Sequence, residues 1–94
     1  MSKLHLKLYI SGYSLLSRRA VTNLKQICRV EFEENCDIEI IDVIKSPQLA
    51  ELANITVTPT LVKESPPPIK RLVGDLSQSE RVISELEPDP ECPY

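Results

Sequence analysis

The stretch Val57-Thr58-Pro59-Thr60-Leu61 decides which fold this sequence predicts. Proline has no N–H group, so Pro59 fits only the start or the edge of a strand, and the residues after it predict that strand. We expect a cis peptide bond before Pro59, a rare conformation that needs a structural reason. The alternative is an ordinary trans proline before an edge strand, and the rest of the chain must decide between the two.

Composition restricts the chain to a small acidic domain. Its net charge of −3 over 94 residues argues against general nucleic-acid binding, because nucleic acids require a basic surface. No apolar run approaches the length of a membrane span, and a strand pattern begins too close to Met1 for a signal peptide. The length fits one domain, in which burial is partial, and oligomerisation is a reasonable expectation.

The cysteine pattern argues against a disulfide framework. Cys28, Cys36 and Cys92 are odd in number and widely spaced, as in reduced thiols of a cytoplasmic protein. One histidine and three scattered cysteines are a poor zinc-ligand set, so we expect no metal and no cofactor. Cys28 lies on the apolar stripe of a predicted helix, where we interpret it as a small core residue.

The N-terminal half predicts a β-α-β unit. Period-two alternation over residues 4–10 predicts a strand with one buried face. Apolar residues at helical spacing predict an amphipathic helix that Ser17 caps and that ends near residues 34–35. β-branched residues at 38–43 predict a second strand, which should lie parallel to the first with a right-handed crossover.

A short helix is predicted over residues 48–54. Ser46 is its expected cap, and Pro47 stands at its first helical position. We expect its apolar residues to face the core: Leu49, Leu52 and Ala53.

The remaining segments predict a hairpin and a last helix. Residues 60–63 and 69–73 predict short strands, and the proline-rich residues 65–68 between them predict a stiff antiparallel hairpin loop. Residues 77–80 read as a capping box, serine followed by glutamate three positions later, which begins the last helix.

The resulting order, β-α-β-α-β-β-α with a proline opening the third strand, is the thioredoxin-like α/β topology. We predict a single domain over residues 1–87 and a disordered, acidic, proline-rich tail over residues 88–94. A thioredoxin-type oxidoreductase carries a cysteine where the first helix begins, but residues 14–17 read Ser-Leu-Leu-Ser here. Serine cannot exchange disulfides, so the chain predicts a binding domain. The alternative is a thioredoxin-like enzyme or a redox or stress protein that uses Ser14 or a cysteine.

Four stretches make the chain similar to one known family. Residues 8–12 (LYISG), 41–51 (IDVIKSPQLAE), 58–61 (TPTL) and 74–77 (GDLS) closely resemble the circadian clock protein family KaiB. The likeness runs over about residues 7–83 without a gap. It implies two folds: a thioredoxin-like monomer that binds a partner, and a resting homotetramer ordered βαββααβ with a rearranged C-terminal half.

The resemblance also implies a function. Family members are non-enzymatic, bind the ring-shaped ATPase KaiC after its phosphorylation, sequester KaiA, and compete with a histidine kinase whose sensor domain is also thioredoxin-like. Basic residues at positions that are basic in the family are candidate partner contacts: Arg19, Lys45, Lys63 and Arg71. The candidate structural or switch prolines are Pro59, Pro67 and Pro68.

The chain also departs from the family pattern. Residues 13–17 read YSLLS where the family loop reads NTPNS, Glu85 replaces a frequent glycine, and Pro88 stops the last segment. These departures predict a divergent paralogue, and they leave two roles open for it, one in the core oscillator and one in a stress or output pathway. We predict that residues 54–86 change secondary structure between the two states, while residues 4–43 keep theirs.

Overall fold

The structure of the protein, a computed structural model, describes residues 3–87. Its elements follow the predicted thioredoxin-like order, which is confirmed, while the βαββααβ arrangement stays a prediction for another state. The elements are β1 (Leu4–Ile10), α1 (Leu15–Glu31), β2 (Cys36–Asp42), α2 (Pro47–Leu52), β3 (Thr60–Ser65), β4 (Lys70–Val73) and α3 (Ser79–Leu86). The predicted disordered tail lies outside the described residues.

One mixed sheet with the strand order β2-β1-β3-β4 organises the chain. β1 runs parallel to β2, as predicted, with Leu4 opposite Cys36 and Ile10 opposite Asp42. β3 is antiparallel to both β1 and β4. The peptide bond before Pro59 is cis, as expected, and the Pro59 carbonyl accepts a hydrogen bond from the Gly74 N–H at 3.0 Å. Pro59 therefore links the entry of β3 to the end of β4.

The two faces of the sheet carry different helices. The larger core lies between the sheet and helices α1 and α3, and Leu6, Leu8 and Leu61 are its fully buried sheet residues. The opposite face, beside α2, buries a smaller cluster around Tyr9 and Val62. The period-two pattern of β1 predicted one buried face with Tyr9 on the polar side. That prediction is wrong for Tyr9, because the region around α2 covers the second face.

The ends of α1 differ from the prediction. Ser14, not Ser17, is the N-cap, and its Oγ accepts the Ser17 N–H at 3.3 Å. Ser17 instead lies inside the helix, fully buried, where its Oγ accepts the Ser11 N–H at 3.0 Å. The helix ends at Glu31, before the predicted residues 34–35, because Glu33 and Glu34 have positive φ values of 52° and 61° that no helix continues.

Helix α2 is shorter than predicted and exposes its leucines. Leu52 is 80% exposed and Leu49 is 40% exposed, so the prediction that they face the core is wrong. Ala50 is buried instead, because a helix of six residues has only one narrow side against the sheet. Ser46 makes no capping hydrogen bond through its side chain, and the helix ends before Asn54, whose φ of 57° is left-handed.

The predicted capping box does not form. The Ser77 N–H donates to the Asp75 carboxylate at 3.1 Å, and α3 begins only at Ser79, with Gln78 as its N-cap. Asp75 accepts the Ser77 N–H in a local turn, and the helix starts one residue later than the box predicted. No helix within residues 3–87 is long and apolar enough to cross a membrane.

Candidate functional site

The candidate site lies at the end of the sheet where β1 and β2 finish. One oxygen of Asp42, at the end of β2, accepts hydrogen bonds from the Ile44 N–H at 2.9 Å and the Gly12 N–H at 3.1 Å. The Ile44 hydrogen bond, followed by that of Gly12 and the charge of Lys45, holds the pKa of Asp42 below its usual value. Asp42 therefore fastens the loop after β1 to the loop after β2.

Gly12 permits the close approach of these two loops. Its φ of +57° is left-handed, and a Cβ at this position would lie 3.4 Å from the Ile44 side chain. The backbone conformation therefore favours glycine, and the side chain of Ile44 is held at the surface beside the loop.

Ser14 and Ser17 lie at the start of α1, the position compared above with that of the redox cysteines of a thioredoxin. The Ser14 oxygen accepts the Ser17 N–H and caps the helix. The buried Ser17 oxygen accepts the Ser11 N–H and holds the preceding loop against the helix. The single histidine, His5, lies at the opposite end of β1, 3.3 Å from Asp37. Among the described residues, this arrangement therefore places no histidine beside Ser14. Within residues 3–87, no group of three or more His, Cys, Asp and Glu could hold a metal.

Large apolar side chains are exposed on this end of the molecule. Ile44 is 67% exposed, and an open groove of about 520 Å³ runs between α2 and the segment that enters β3. We define the α2 surface as the exposed side chains on and around α2: Ile44, Lys45, Leu49, Leu52, Val57 and Arg71. Sequence reading missed its apolar members, because a leucine in a short helix is expected to be buried.

Two of the predicted basic residues lie on the α2 surface. The Arg71 guanidinium donates to the carbonyls of Ala53 and Asn54, at 2.5 and 3.3 Å, at the C-terminal end of α2. Lys45 is exposed immediately before α2, beside Ile44. Positive charge thus borders the exposed apolar side chains at both ends of the helix.

The other two predicted basic residues lie elsewhere. Arg19 is exposed on α1, near Asp75. The pKa of Asp75 is lowered, first by hydrogen bonds from the Ser77 hydroxyl and N–H and then by the charge of Arg19. Lys63 is only 1% exposed, and its Nζ has no hydrogen-bond partner among the described residues. In this conformation Lys63 is therefore unavailable to a partner. Period two could have shown this, because Lys63 follows buried Leu61 by two positions in one strand.

The predicted switch prolines also separate. Pro59 is buried beside β4, whereas Pro67 and Pro68 are exposed in the hairpin loop. Further cis bonds precede Pro66 and Pro68. The switch role of these prolines, like the partner contacts of the basic residues, stays a prediction.

Comparison with known proteins identifies the family. A model of the KaiB domain matches residues 7–88. The chain belongs to the KaiB family. It is 44% identical over 91 residues to circadian clock protein KaiB3 of Synechocystis sp., and the aligned region covers 97% of this chain and 89% of the relative. It is 50% identical over 82 residues to circadian clock oscillator protein KaiB of Nostoc punctiforme, across 87% of this chain and 79% of the relative. The resemblance to KaiB is thereby confirmed, and these relatives are named as clock proteins rather than enzymes.

Solved structures confirm the fold class. The N-terminal domain of Synechococcus elongatus SasA superposes with a TM-score of 0.73 at 29% identity, covering 92% of this chain and 81% of that one. Chloroplastic thioredoxin z gives a TM-score of 0.71 at 20% identity, over 90% of this chain and 79% of the other, which shows a common fold alone.

Proposed function

We propose that this KaiB-family chain is a non-enzymatic clock-type regulator that binds a KaiC-like ATPase ring through its α2 surface. The observation that carries this proposal is the exposure of apolar side chains on a fixed framework. Leu52 is 80% exposed and Ile44 67% exposed, although both belong to segments that hydrogen bonds hold in place. Exposed apolar side chains grouped on one surface are typical of a protein-interaction site.

The chemistry of the α2 surface fits a protein partner. Leucine and isoleucine side chains exclude water when a partner covers them, and each fully buried side chain contributes about 1.5–3 kcal/mol. Lys45 and Arg71 add positive charge at the border, which favours an acidic patch on the partner and a defined orientation. Because the Arg71 side chain is anchored to the carbonyls of the two residues that follow α2, little conformational freedom is lost when it meets a carboxylate.

Binding at this surface would modulate the phosphorylation cycle of the ring. We propose that this chain competes for one docking surface on the ring with another domain of the same fold. The likeness to the SasA domain supports such competition with a kinase that carries a KaiB-like sensor domain. We also propose that the bound chain sequesters a KaiA-like protein, that the protein is cytoplasmic, and that it serves a stress or output pathway.

A second state belongs to the same proposal. We propose that the chain rests as a homotetramer ordered βαββααβ and binds the ring as the thioredoxin-like monomer, with Pro59, Pro67 and Pro68 inside the segment that rearranges. Burial of an unpartnered Lys63 amine supports a small free-energy difference between the states, because it weakens the thioredoxin-like packing. Light scattering should give the mass of a tetramer for the free chain, and backbone NMR should give different strand and helix spans before and after binding.

A binding assay with a matched pair of variants tests the α2 surface. Leu52→Asp changes an exposed residue of α2, and Val30→Asp changes an exposed residue (60%) of α1, on the opposite side of the sheet. We expect Leu52→Asp to weaken binding to a purified KaiC-type ring at least tenfold and Val30→Asp to bind like the unchanged chain. Equal affinity of the two variants would locate the contact elsewhere.

The competing function is an enzyme that uses Ser14 or a cysteine. It predicts reduction of insulin disulfides or turnover of a glutathione conjugate above the buffer rate. We expect neither activity, because the oxygens of Ser14 and Ser17 are occupied by backbone N–H groups and Cys28 is buried.

A further inference from the structure

The last turn of α1 brings Cys28 and Cys36 together at the end of the sheet opposite the α2 surface. The Cys28 carbonyl accepts the N–H groups of Phe32 at 3.2 Å and Glu34 at 2.9 Å. Glu33 and Glu34 have positive φ values of 52° and 61°, so the chain reverses directly after the helix. Cys36 therefore returns to the helix turn that carries Cys28.

The start of β2 is also fixed against β1. The Leu4 N–H donates to the Asn35 carbonyl at 3.1 Å, and Leu4 lies opposite Cys36 in the parallel register. Within this corner the thiols of Cys28 and Cys36 are hydrogen-bonded to each other. Cys28 is 4% exposed, and Cys36 is half-buried against the same core cluster. The two side chains thus meet between two fixed elements.

We propose that Cys28 and Cys36 form a reversible intramolecular disulfide, with a low-molecular-weight disulfide such as oxidised glutathione as the oxidant. Two thiols that already hydrogen-bond need only a small approach to reach bonding distance. The closed loop is short, with nine residues from Cys28 to Cys36, and both of its ends are held by backbone hydrogen bonds. This proposal does not depend on the proposed function.

Cys36 is the sulfur that reacts first. Burial raises the pKa of both thiols, but at Cys36 the hydrogen bond from Cys28 and the charge of Lys3 act in the opposite direction. The Cys36 thiolate attacks one sulfur of oxidised glutathione, forms a mixed disulfide and releases one glutathione thiol. Cys28 then gives its proton to solvent and attacks the Cys36 sulfur, releasing the second glutathione, which takes up a proton. The protein loses two electrons and two protons, and the oxidant gains both.

Burial makes this a slow exchange. Because the thiolate is the attacking species, raised pKa values at both positions keep the reactive fraction small at neutral pH. The pair therefore suits a redox-sensitive modification that persists, and it does not suit rapid catalytic turnover.

The disulfide would leave the α2 surface open. Cys36 begins β2 and Asp42 ends it, so at about 3.3 Å per residue the two ends of the strand lie roughly 20 Å apart. Both cysteines also belong to the half of the chain that we predict to be the same in both family folds. Oxidation should therefore stabilise the N-terminal half without choosing between the folds.

Peptide mapping of the full chain tests the proposal. In a Cys92→Ser background, the folded protein is equilibrated with oxidised and reduced glutathione, alkylated and digested with trypsin. The expected product links residues 26–29 to residues 30–45, with a loss of two hydrogens, and the matched Cys36→Ser variant yields none. Persistence of both free thiols in oxidising buffer, or a mixed disulfide that stops at Cys36, would overturn the proposal.

The same equilibrium measured in urea separates the effect of the fold from simple chain proximity. If the native geometry suits the disulfide, the equilibrium constant for its formation in the folded protein exceeds the constant in the unfolded chain by tenfold or more. The upper limit is about 80-fold, which corresponds to the loop-closure entropy of a nine-residue loop. The melting temperature of the oxidised protein then exceeds that of the reduced protein. A native constant equal to or below the urea value, with no rise in melting temperature, would mean that the fold does not favour the bond.

Discussion

Replacing Lys63 by methionine should stabilise the thioredoxin-like state of this chain. The Lys63 side chain is 1% exposed, and its Nζ has no hydrogen-bond partner among residues 3–87. Lys63 lies directly opposite Lys70 in the antiparallel pairing of β3 and β4, so both side chains are on the same face of the sheet. The Lys70 amine lies 3.7 Å from a Glu85 oxygen, so Glu85 pairs with Lys70.

The magnitude follows from these contacts. Burying a polar group without a hydrogen bond costs about 1–3 kcal/mol in protein mutational series. A second cation directly across the strands adds up to about 1 kcal/mol of repulsion, less the part that Glu85 offsets. Methionine keeps a long flexible apolar stem and needs no partner. We therefore expect Lys63→Met to gain about 1–3 kcal/mol, or a 5- to 150-fold shift toward this state.

Thermal and urea unfolding at fixed protein concentration measure the effect, and NMR gives the population of the thioredoxin-like state. Where NMR shows the thioredoxin-like monomer, Lys63→Met should raise the melting temperature by at least 4 °C, at about 4–8 °C per kcal/mol for a domain of this size. The matched control is Lys45→Met, an exposed lysine whose replacement should change stability by less than about 0.5 kcal/mol. A population of the thioredoxin-like state for Lys63→Met at or below that of Lys45→Met would refute the reasoning.

Two further predictions concern the site and the last helix. Folding lowers the pKa of Asp42. The ionised carboxylate therefore stabilises the fold at pH values above the ordinary aspartate pKa. This stabilisation is lost as the pH falls through the folded-state pKa. Asp42→Asn should therefore flatten the dependence of stability on pH below about 4, and an unchanged slope in urea titrations would contradict that role. Glu85→Gly should destabilise α3 by about 1 kcal/mol through helix propensity. Glu85→Ala should lose only the half-exposed ion pair with Lys70, which is worth less than about 1 kcal/mol. Circular dichroism melts that rank alanine below glycine would rule out this account.

The elements of this fold could be predicted because strong local patterns agree with each other. The sequence of β1 alternates between aliphatic residues and more polar ones, and Pro59 fits only the start or the edge of a strand. Helix ends were harder, because two candidate caps compete within three residues at Ser14 and Ser17. Only the tertiary contact between Ser17 and Ser11 decides which of the two serines caps the helix.

The candidate site was only partly predictable. The four basic residues could be named from the sequence, but their side chains could not be placed. Two of them lie on the α2 surface, Arg19 lies beside Asp75, and Lys63 is buried in the sheet packing. The exposed Leu52 escaped notice because a six-residue helix is too short to show an apolar period. The contact between Cys28 and Cys36 depends on the left-handed turn at Glu33 and Glu34, which no local pattern predicts.

Hydrogen–deuterium exchange of the chain, free and bound to a purified KaiC-type ring, tests the central proposal most directly. Binding through the α2 surface predicts slowed amide exchange over residues 43–53, which precede the segment that we propose to rearrange, with little change over residues 28–36. Slowing confined to α1 and α3, or no slowing in a mixture that contains the intact ring, would contradict it.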